Sequence, residues 1–365
     1  MRILLLLFIA CSTIVQSQTL FTDQMVGDFP ASLLSLDGYL YVGTLESGGP
    51  QNISRIQFED PDSVELVSDF GSAPGFGVWK MAFDAQENRI YAWDVFTYGV
   101  DLDNAIPIEK ELVSDLPTSC SNGIAYFDGY LYYGCTSTSI DRIDPTAMNP
   151  VPETVIDLTD LGEPFNPAFY QGELYFSLRL DGDYDLYKLD PSNPESSLIL
   201  VSNLEENSGG VQSSLVADDF LYLGIEGSPH RVLKLDLSNT NYPIEEEILF
   251  DNFSGGPIGL ARQGNIIYIS DSNTQNIFQF TDEELSTKQS EFSKPEVYPI
   301  PATDELFVSG LDSDTPFVIY NALGAQISTG TTVNGMVNVE SLNPGVYFIQ
   351  LDTLAGSNSL KFLKK

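Results

Sequence analysis

Few side chains in this 365-residue sequence have the types and spacing that chemistry needs. Asp181, Asp183 and Asp185 fall on alternate residues of Asp181-Gly182-Asp183-Tyr184-Asp185. Alternate carboxylates in a bent loop can supply several of the oxygens that a calcium ion takes, so calcium or another divalent cation is the cofactor this pattern would hold. The run lacks the following Gly and the distal bidentate Glu of an EF-hand loop, and a solvated turn in an acidic chain explains it equally well. His230 is the single histidine and follows Pro229. A general base there needs an oriented Ser or Asp partner that no spacing identifies. Gly-x-Ser-x-Gly does not occur, so a nucleophile elbow is unsupported. One histidine excludes a His-x-x-x-His zinc pair, and three cysteines exclude a four-cysteine zinc site or iron–sulfur cage. What remains is polar and uncharged: Asn122, Asn166 and Gln212, with Trp79 as an apolar wall. These residues occupy the same or adjacent places in a repeat. Amides that converge in this way either meet a ligand or cap strand ends and hold buried water.

The residues that must position this set are abundant. The chain is 42% hydrophobic, with 18 Tyr and 22 Phe, enough to fill a large core and to exclude disorder. Its 52 acidic and 16 basic residues give a formal charge of −36. Such a chain has no clustered Lys and Arg with which to bind nucleic acid through phosphates. Nearly all of the negative charge falls on residues 18–294, where it favours solubility and opposes close approach to bare anionic lipid.

The middle of the chain repeats. Asp37-Gly38-Tyr39-Leu40-Tyr41, Glu87-Asn88-Arg89-Ile90-Tyr91, Asp128-Gly129-Tyr130-Leu131-Tyr132, Gln171-Gly172-Glu173-Leu174-Tyr175, Asp218-Asp219-Phe220-Leu221-Tyr222 and Gly264-Asn265-Ile266-Ile267-Tyr268 align, and their last tyrosines lie 50, 41, 43, 47 and 46 residues apart. A period of about 45 residues is the length of one four-stranded propeller blade. Each unit reads as a strand, a tight Asp-Gly-like turn, a strand ending at the tyrosine or just beyond it, an alternating third strand, and a fourth strand such as Leu66-Val67-Ser68-Asp69 or Leu112-Val113-Ser114-Asp115. The sixth unit has no fourth strand of its own, and Leu20-Phe21-Thr22-Asp23 carries the missing pattern. The expectation is an all-β fold: a six-bladed β-propeller over 18–285 closed by an N-terminal strand, a linker over 286–296, and a small Ig-like β-sandwich over 297–365. In this alignment the inner strands begin near Ala31, Val78, Asn122, Phe165, Gln212 and Ile258, which brings the amides and Trp79 to one mouth of the central channel.

Both ends read as addresses. Arg2 precedes a short apolar run, Ile3 to Ala10, and Val15-Gln16-Ser17 fits a signal-peptidase site, so residues 1–17 read as a signal peptide, leaving no transmembrane segment in the mature chain. Acylation at Cys11 is the rival reading, but Phe8-Ile9-Ala10-Cys11 fits a lipoprotein signal poorly. Removal of Cys11 leaves Cys120 and Cys135, 15 residues apart, and export favours a disulfide between them over two free thiols.

The C-terminal segment carries Pro299, Pro301 and Ala302 before Asp304, Gly324 after the Phe317–Leu323 strand, Leu342-Asn343-Pro344-Gly345-Val346-Tyr347, and a basic end at Lys361, Lys364 and Lys365. In order, these motifs resemble the type A C-terminal sorting domain of the type IX secretion system of Bacteroidetes, with Ile300 where that family usually has Asn. The resemblance covers residues 295–365. It implies that the type IX machinery is a partner and that the protein is secreted or displayed at the outer-membrane surface. The repeat, in turn, resembles the six-bladed propellers of the gluconolactonase, NHL and YWTD groups, most closely along Ile267–Phe280. Gluconolactonase-like enzymes hold a divalent cation with a Glu, an Asn and an Asp. Asn122 matches the Asn, but the Glu is absent and no later inner loop supplies the Asp, with Asp28 the remaining substitute. The expected function is therefore an exported propeller that binds an extracellular carbohydrate, peptide or protein. A metal-dependent lactonase or hydrolase and a structural envelope component are the alternatives.

Overall fold

The computed structural model describes residues 18–365 except 24–28, 46–50, 72–76, 115–121, 205–209, 289–295, 299, 304, 310–314, 322–323, 333–334 and 354–355. The expected signal peptide, Asp28, Cys120 and Pro299 lie outside the described residues. The chain divides into two compact units between Leu285 and Ser286.

In the first unit β1 (Thr19–Thr22) precedes a series of four-stranded antiparallel sheets. The first holds β2 (Phe29–Leu36), β3 (Tyr39–Leu45), β4 (Gln51–Gln57) and β5 (Asp60–Gly71). The second holds β6 (Lys80–Asp84), β7 (Arg89–Asp94), β8 (Phe96–Asp101) and β9 (Glu111–Ser114). The third holds β10 (Ile124–Phe127), β11 (Tyr130–Cys135), β12 (Ser139–Ile143) and β13 (Glu153–Asp157). The fourth holds β14 (Glu163–Tyr170), β15 (Glu173–Leu180), β16 (Asp183–Leu189) and, after the short helix α1 (Pro194–Ser197), β17 (Ile199–Asn203). The fifth holds β18 (Gly210–Ala217), β19 (Phe220–Glu226), β20 (His230–Asp236) and β21 (Glu247–Phe253). The sixth has only three consecutive strands, β22 (Pro257–Gln263), β23 (Ile266–Asp271) and β24 (Ile277–Thr281), and its outer place is taken by β1. There Thr19 faces Gln279 and Leu20 faces Phe278 in antiparallel register.

The alternating pattern of each strand explains where the core sits. One hydrophobic cluster straddles each pair of successive sheets, as with Ile53 and Val67 of the first against Ile90 and Val100 of the second. Another joins the sixth sheet to the first, with Phe21, Tyr268 and Ile277 against Leu40, Val42 and Ile56. The first strands of the sheets also pack in chain order, β2 on β6 and onward, and β22 packs back on β2. Asp37-Gly38 and Asp128-Gly129 take φ of 48° and 83°, and 48° and 82°, the positive pair that a two-residue hairpin needs.

The aligned tyrosines Tyr41, Tyr91, Tyr132, Tyr175, Tyr222 and Tyr268 are all buried. Across the strand pair, Tyr41 faces Arg55, Tyr132 faces Arg142, Tyr175 faces Lys188 and Tyr222 faces Lys234. These cations span from aromatic faces to carboxylates: Arg55 lies 4.3 Å from the Tyr39 ring centre and pairs with Glu65, and Arg142 lies 4.4 Å from that of Tyr130 and pairs with Glu153. In the second sheet Tyr91 faces Gly99, and Arg89 fills the space a side chain there would need.

The expected linker is partly structured. Helix α2 (Glu283–Lys288) follows β24, so Thr287 and Lys288 are helical. Asp282 Oδ1 accepts from the Glu284 N–H at 3.0 Å, which caps the first turn and makes a helix cheaper than coil there.

The second unit contains β25 (Glu296–Tyr298), β26 (Glu305–Ser309), β27 (Pro316–Asn321), β28 (Gln326–Thr331), β29 (Met336–Asn338), β30 (Gly345–Thr353) and β31 (Gly356–Lys364). They form two sheets, ordered β25-β26-β29 and β28-β27-β30-β31, around a core that includes Leu306, Val337, Ile319, Ile349 and Phe362.

Candidate functional site

The first strands of the sheets in the first unit line a cavity of about 100 Å³. Ser32, Lys80, Ile124, Asn166, Ser213 and Gly259 each contribute to it, one from each sheet. Among the described residues no carboxylate lines the cavity.

Asn122 and Asn166 are brought together by the main chain. The Asn166 N–H donates to the Asn122 carbonyl at 2.7 Å, and Asn166 Nδ2 donates to the Val211 carbonyl at 2.6 Å. A bonded series therefore crosses from the third sheet through the fourth to the fifth. Gly123, with φ of 137°, makes this approach possible: a Cβ there would lie 2.7 Å from Asn166 Cα. Both asparagines are buried, and Asn122 Nδ2 meets no acceptor among the described residues. Gln212 turns elsewhere, its Nε2 donating to Glu226 Oε2 at 2.8 Å. Trp79 packs against the cluster between the second and third sheets. Of the four residues expected at one mouth, two meet directly and Gln212 shares a hydrogen bond through its main chain, whose carbonyl accepts from Lys80 Nζ.

Lys80 is the residue that reading by motif missed. In the repeat alignment its equivalents are Leu33, Ile124, Pro167, Ser214 and Leu260, so a charge at this place occurs once in six units. The side chain is half-buried. Loss of hydration penalises the ammonium and pushes the amine down to about 8.

The alternate aspartates do not assemble. Asp181 and Gly182 form the hairpin turn between β15 and β16, with φ of 55° and 98°, while Asp183 and Asp185 follow along the strand. Among the described residues no group of three or more His, Cys, Asp and Glu is placed to hold a metal ion. His230 Nδ1 accepts from the Gly227 N–H at 3.1 Å, closing its own hairpin.

Four other aspartates have a local role. Oδ1 of Asp144, Asp157, Asp190 and Asp236 each accepts both the N–H and the hydroxyl of the Thr or Ser two residues on, at 2.6 to 3.0 Å. The hydroxyl and main-chain bonds hold the Asp144, Asp157 and Asp190 carboxyls below the usual range. Part of the chain's acidity thus closes turns.

A second cleft, of about 420 Å³, lies beside the outer strands of the second sheet. Arg89, Tyr91, Glu111 and Leu112 form one side, and Pro145, Thr146 and Met148 the other. Arg89 Nη2 pairs with Glu111 Oε2 at 2.6 Å, and Met148 is 96% exposed.

In the second unit the two ends of the expected sorting motif meet. The Ala302 N–H donates to the Leu363 carbonyl at 2.7 Å and the Lys365 N–H to the Ala302 carbonyl at 2.9 Å. Tyr347 stacks on Phe362 with ring centres 5.6 Å apart and donates its hydroxyl to the Asn343 carbonyl at 3.0 Å. Lys364 is buried, whereas Lys361 and Lys365 are exposed. Gly324 makes its turn with φ of 80°.

Residues 296–365 match the family model described as a secretion system C-terminal sorting domain. The chain is therefore addressed by type IX secretion to the cell surface or beyond it. No curated protein sequence matches. Among solved structures, a protein of unknown function from Bacteroides thetaiotaomicron is 14% identical with a TM-score of 0.50, over 73% of this chain and 72% of that one. The β-propeller domain of Cps50 (Swd1) from Myceliophthora thermophila is 8% identical with a TM-score of 0.48, over 73% of this chain and 100% of that one. PorZ, a surface component of the type IX secretion system of Porphyromonas gingivalis, is 14% identical with a TM-score of 0.42, over 94% of this chain. The chain spans about half of PorZ, 53% of its length. No helix among the described residues is long and apolar enough to cross a membrane.

Proposed function

We propose that this protein is a secreted or surface-displayed cargo of type IX secretion whose first unit is a six-bladed β-propeller that binds an extracellular carbohydrate, peptide or protein. The sorting domain at 296–365 carries the reading, because it gives the chain an extracellular place of work. Packing of β22 on β2, the cluster shared by the sixth and first sheets, and the pairing of β1 with β24 support a ring closed by the N-terminal strand. The two packed sheets of the second unit support an Ig-like sandwich. A signal peptide at 1–17 and a Cys120–Cys135 disulfide belong to the same reading, since both suit an exported chain.

Binding is favoured over hydrolysis by the lining of the central cavity. Among the described residues its serines, asparagine and lysine offer no carboxylate to carry a catalytic cation or act as base beside it. The cavity, at about 100 Å³, is also below the roughly 300 Å³ of a small-molecule site, whereas the outer cleft at about 420 Å³ is within that range. The test is fractionation of the producing cell with full-length protein and with residues 296–365 removed. The full chain reaches the surface or medium, and the truncated one stays in the periplasm. Equal export of both overturns the assignment.

A further inference from the structure

The geometry points to a second binding site, for a small oxyanion that carries its own hydroxyl group, of the bicarbonate or glycolate type, held by Lys80 in the central cavity. This rests on reading the first unit as a ring with a channel, and it adds a ligand class to that reading.

Size sets the first limit. A cavity of about 150 Å³ admits benzene, so one of about 100 Å³ holds about four or five non-hydrogen atoms. Charge sets the second. Among the described residues Lys80 is the one ionisable side chain in the lining. The packed strands β2 and β18 bring no ionisable residue, Glu163 and Tyr170 of β14 are engaged by Arg179 and Asp219, and Arg262 of β22 pairs with Asp218. The ionisable groups of β6, β7 and β10 are engaged elsewhere: Asp84 accepts from the Gln86 N–H and meets Tyr126, Arg89 pairs with Glu111, and Asp94 accepts from the Gly77 N–H. Tyr91 lies under Arg89. Glu226 is bound by the Gln212 amide.

Hydrogen bonding sets the third. Ser32 Oγ donates to the Val78 carbonyl at 3.3 Å, Ser213 Oγ to that of Pro257 at 2.7 Å and Ser214 Oγ to that of Asn166 at 3.0 Å. Each hydroxyl has given its only proton to the main chain and presents lone pairs. An ammonium has three N–H donors, and the Gln212 carbonyl takes one. The occupant must therefore accept from Lys80 and donate to a serine oxygen. A carboxylate or carbonate with a hydroxyl does both, while acetate does only the first. Below a pH of about 8 the amine supplies the positive charge.

The test uses the mature protein. Its thermal midpoint is followed against glycolate, bicarbonate and acetate at fixed ionic strength, at pH 7 and pH 9.5. The expected result is a saturable rise of at least about 2 °C with glycolate or bicarbonate at pH 7, at most half as large with acetate, and lost at pH 9.5 and in Lys80→Met. A second measurement stands if Lys80→Met does not fold: reductive methylation of Lys80 in the wild type, read by peptide mass, slows at least about threefold in glycolate but not in chloride. No saturable rise, an equal rise in Lys80→Met, an acetate effect equal to glycolate's, or an unchanged methylation rate overturns the proposal. None of these results bears on whether β1 closes the ring, which is read separately from exchange protection of Thr19–Thr22.

Discussion

Lys234 and Asp282 form a buried ion pair, Nζ to Oδ2 at 2.7 Å, with side chains only 4% and 2% exposed. The pair fastens β20 of the fifth sheet to the residue that ends β24 and caps α2. The Tyr222 hydroxyl donates to the same Oδ2 at 2.5 Å, and Lys234 also reaches Glu284. Burial alone would raise the Asp282 carboxyl, but the hydrogen bonds from Lys234 and Tyr222 outweigh it and hold the group below its usual range.

Removing one member of a desolvated pair leaves the other uncompensated. Asp282→Asn should lower unfolding free energy by about 3 kcal/mol. Glu284→Gln, whose side chain is 62% exposed, should cost less than about 1 kcal/mol. Urea unfolding of the two variants checks the ratio; equal effects would place the weight on the surface member.

Acid should weaken the first unit. Asp282, Asp144, Asp157 and Asp190 all have folded pKa values depressed below their unfolded ones. Their stabilisation is complete above the unfolded value of about 3.9 and is lost as pH falls through the lower folded values. Thermal midpoints should be flat from neutrality to about pH 5 and fall steeply below about pH 4, with a shallower fall in Asp282→Asn. A midpoint that rises on acidification contradicts this linkage.

The pairing of β1 with β24 makes its own demand. Phe21 is buried and meets Tyr268 edge to face at 4.8 Å between ring centres. Phe21→Ala should cost about 3–5 kcal/mol, while the neighbouring Leu20→Ala, at a site 50% exposed, should cost less than about 1 kcal/mol. Matching small losses in chemical denaturation would mean that β1 adds little to the sixth sheet.

The Cys120–Cys135 pair should appear as two missing hydrogens in the intact mass of the secreted mature chain. Reduction of a loop of this length should cost about 3 kcal/mol. Two alkylatable thiols in unreduced protein would remove the disulfide from the account.

The fold was legible wherever chemistry is local. Asp-Gly turns need positive φ, the six tyrosines each fall third in the second strand of a sheet, which runs on past them, and Leu20-Phe21-Thr22 repeats the outer-strand pattern, so pairing with β24 could be anticipated. The site was less legible because its parts are far apart in sequence. Nothing near Lys80 announces that its amine bonds the carbonyl of Gln212, three repeats away. The odd lysine in the repeat alignment was the available sign. Asp181, Asp183 and Asp185 read two ways for the opposite reason: their spacing is that of a calcium loop and equally that of a hairpin running into a strand. Helix α2 was hidden by polar residues that suit a linker, although Asp282 before two glutamates is a helix start.

The claim that this is a binding protein, and not a hydrolase, is tested most directly by presenting the mature protein to immobilised extracellular polysaccharides and peptides while assaying the same preparation for turnover of lactones and esters with added calcium, magnesium, manganese or zinc. The account predicts saturable binding to at least one ligand class, unaffected by chelator, with no turnover. Metal-dependent turnover that is abolished by chelator and by Asn122→Ala would contradict it.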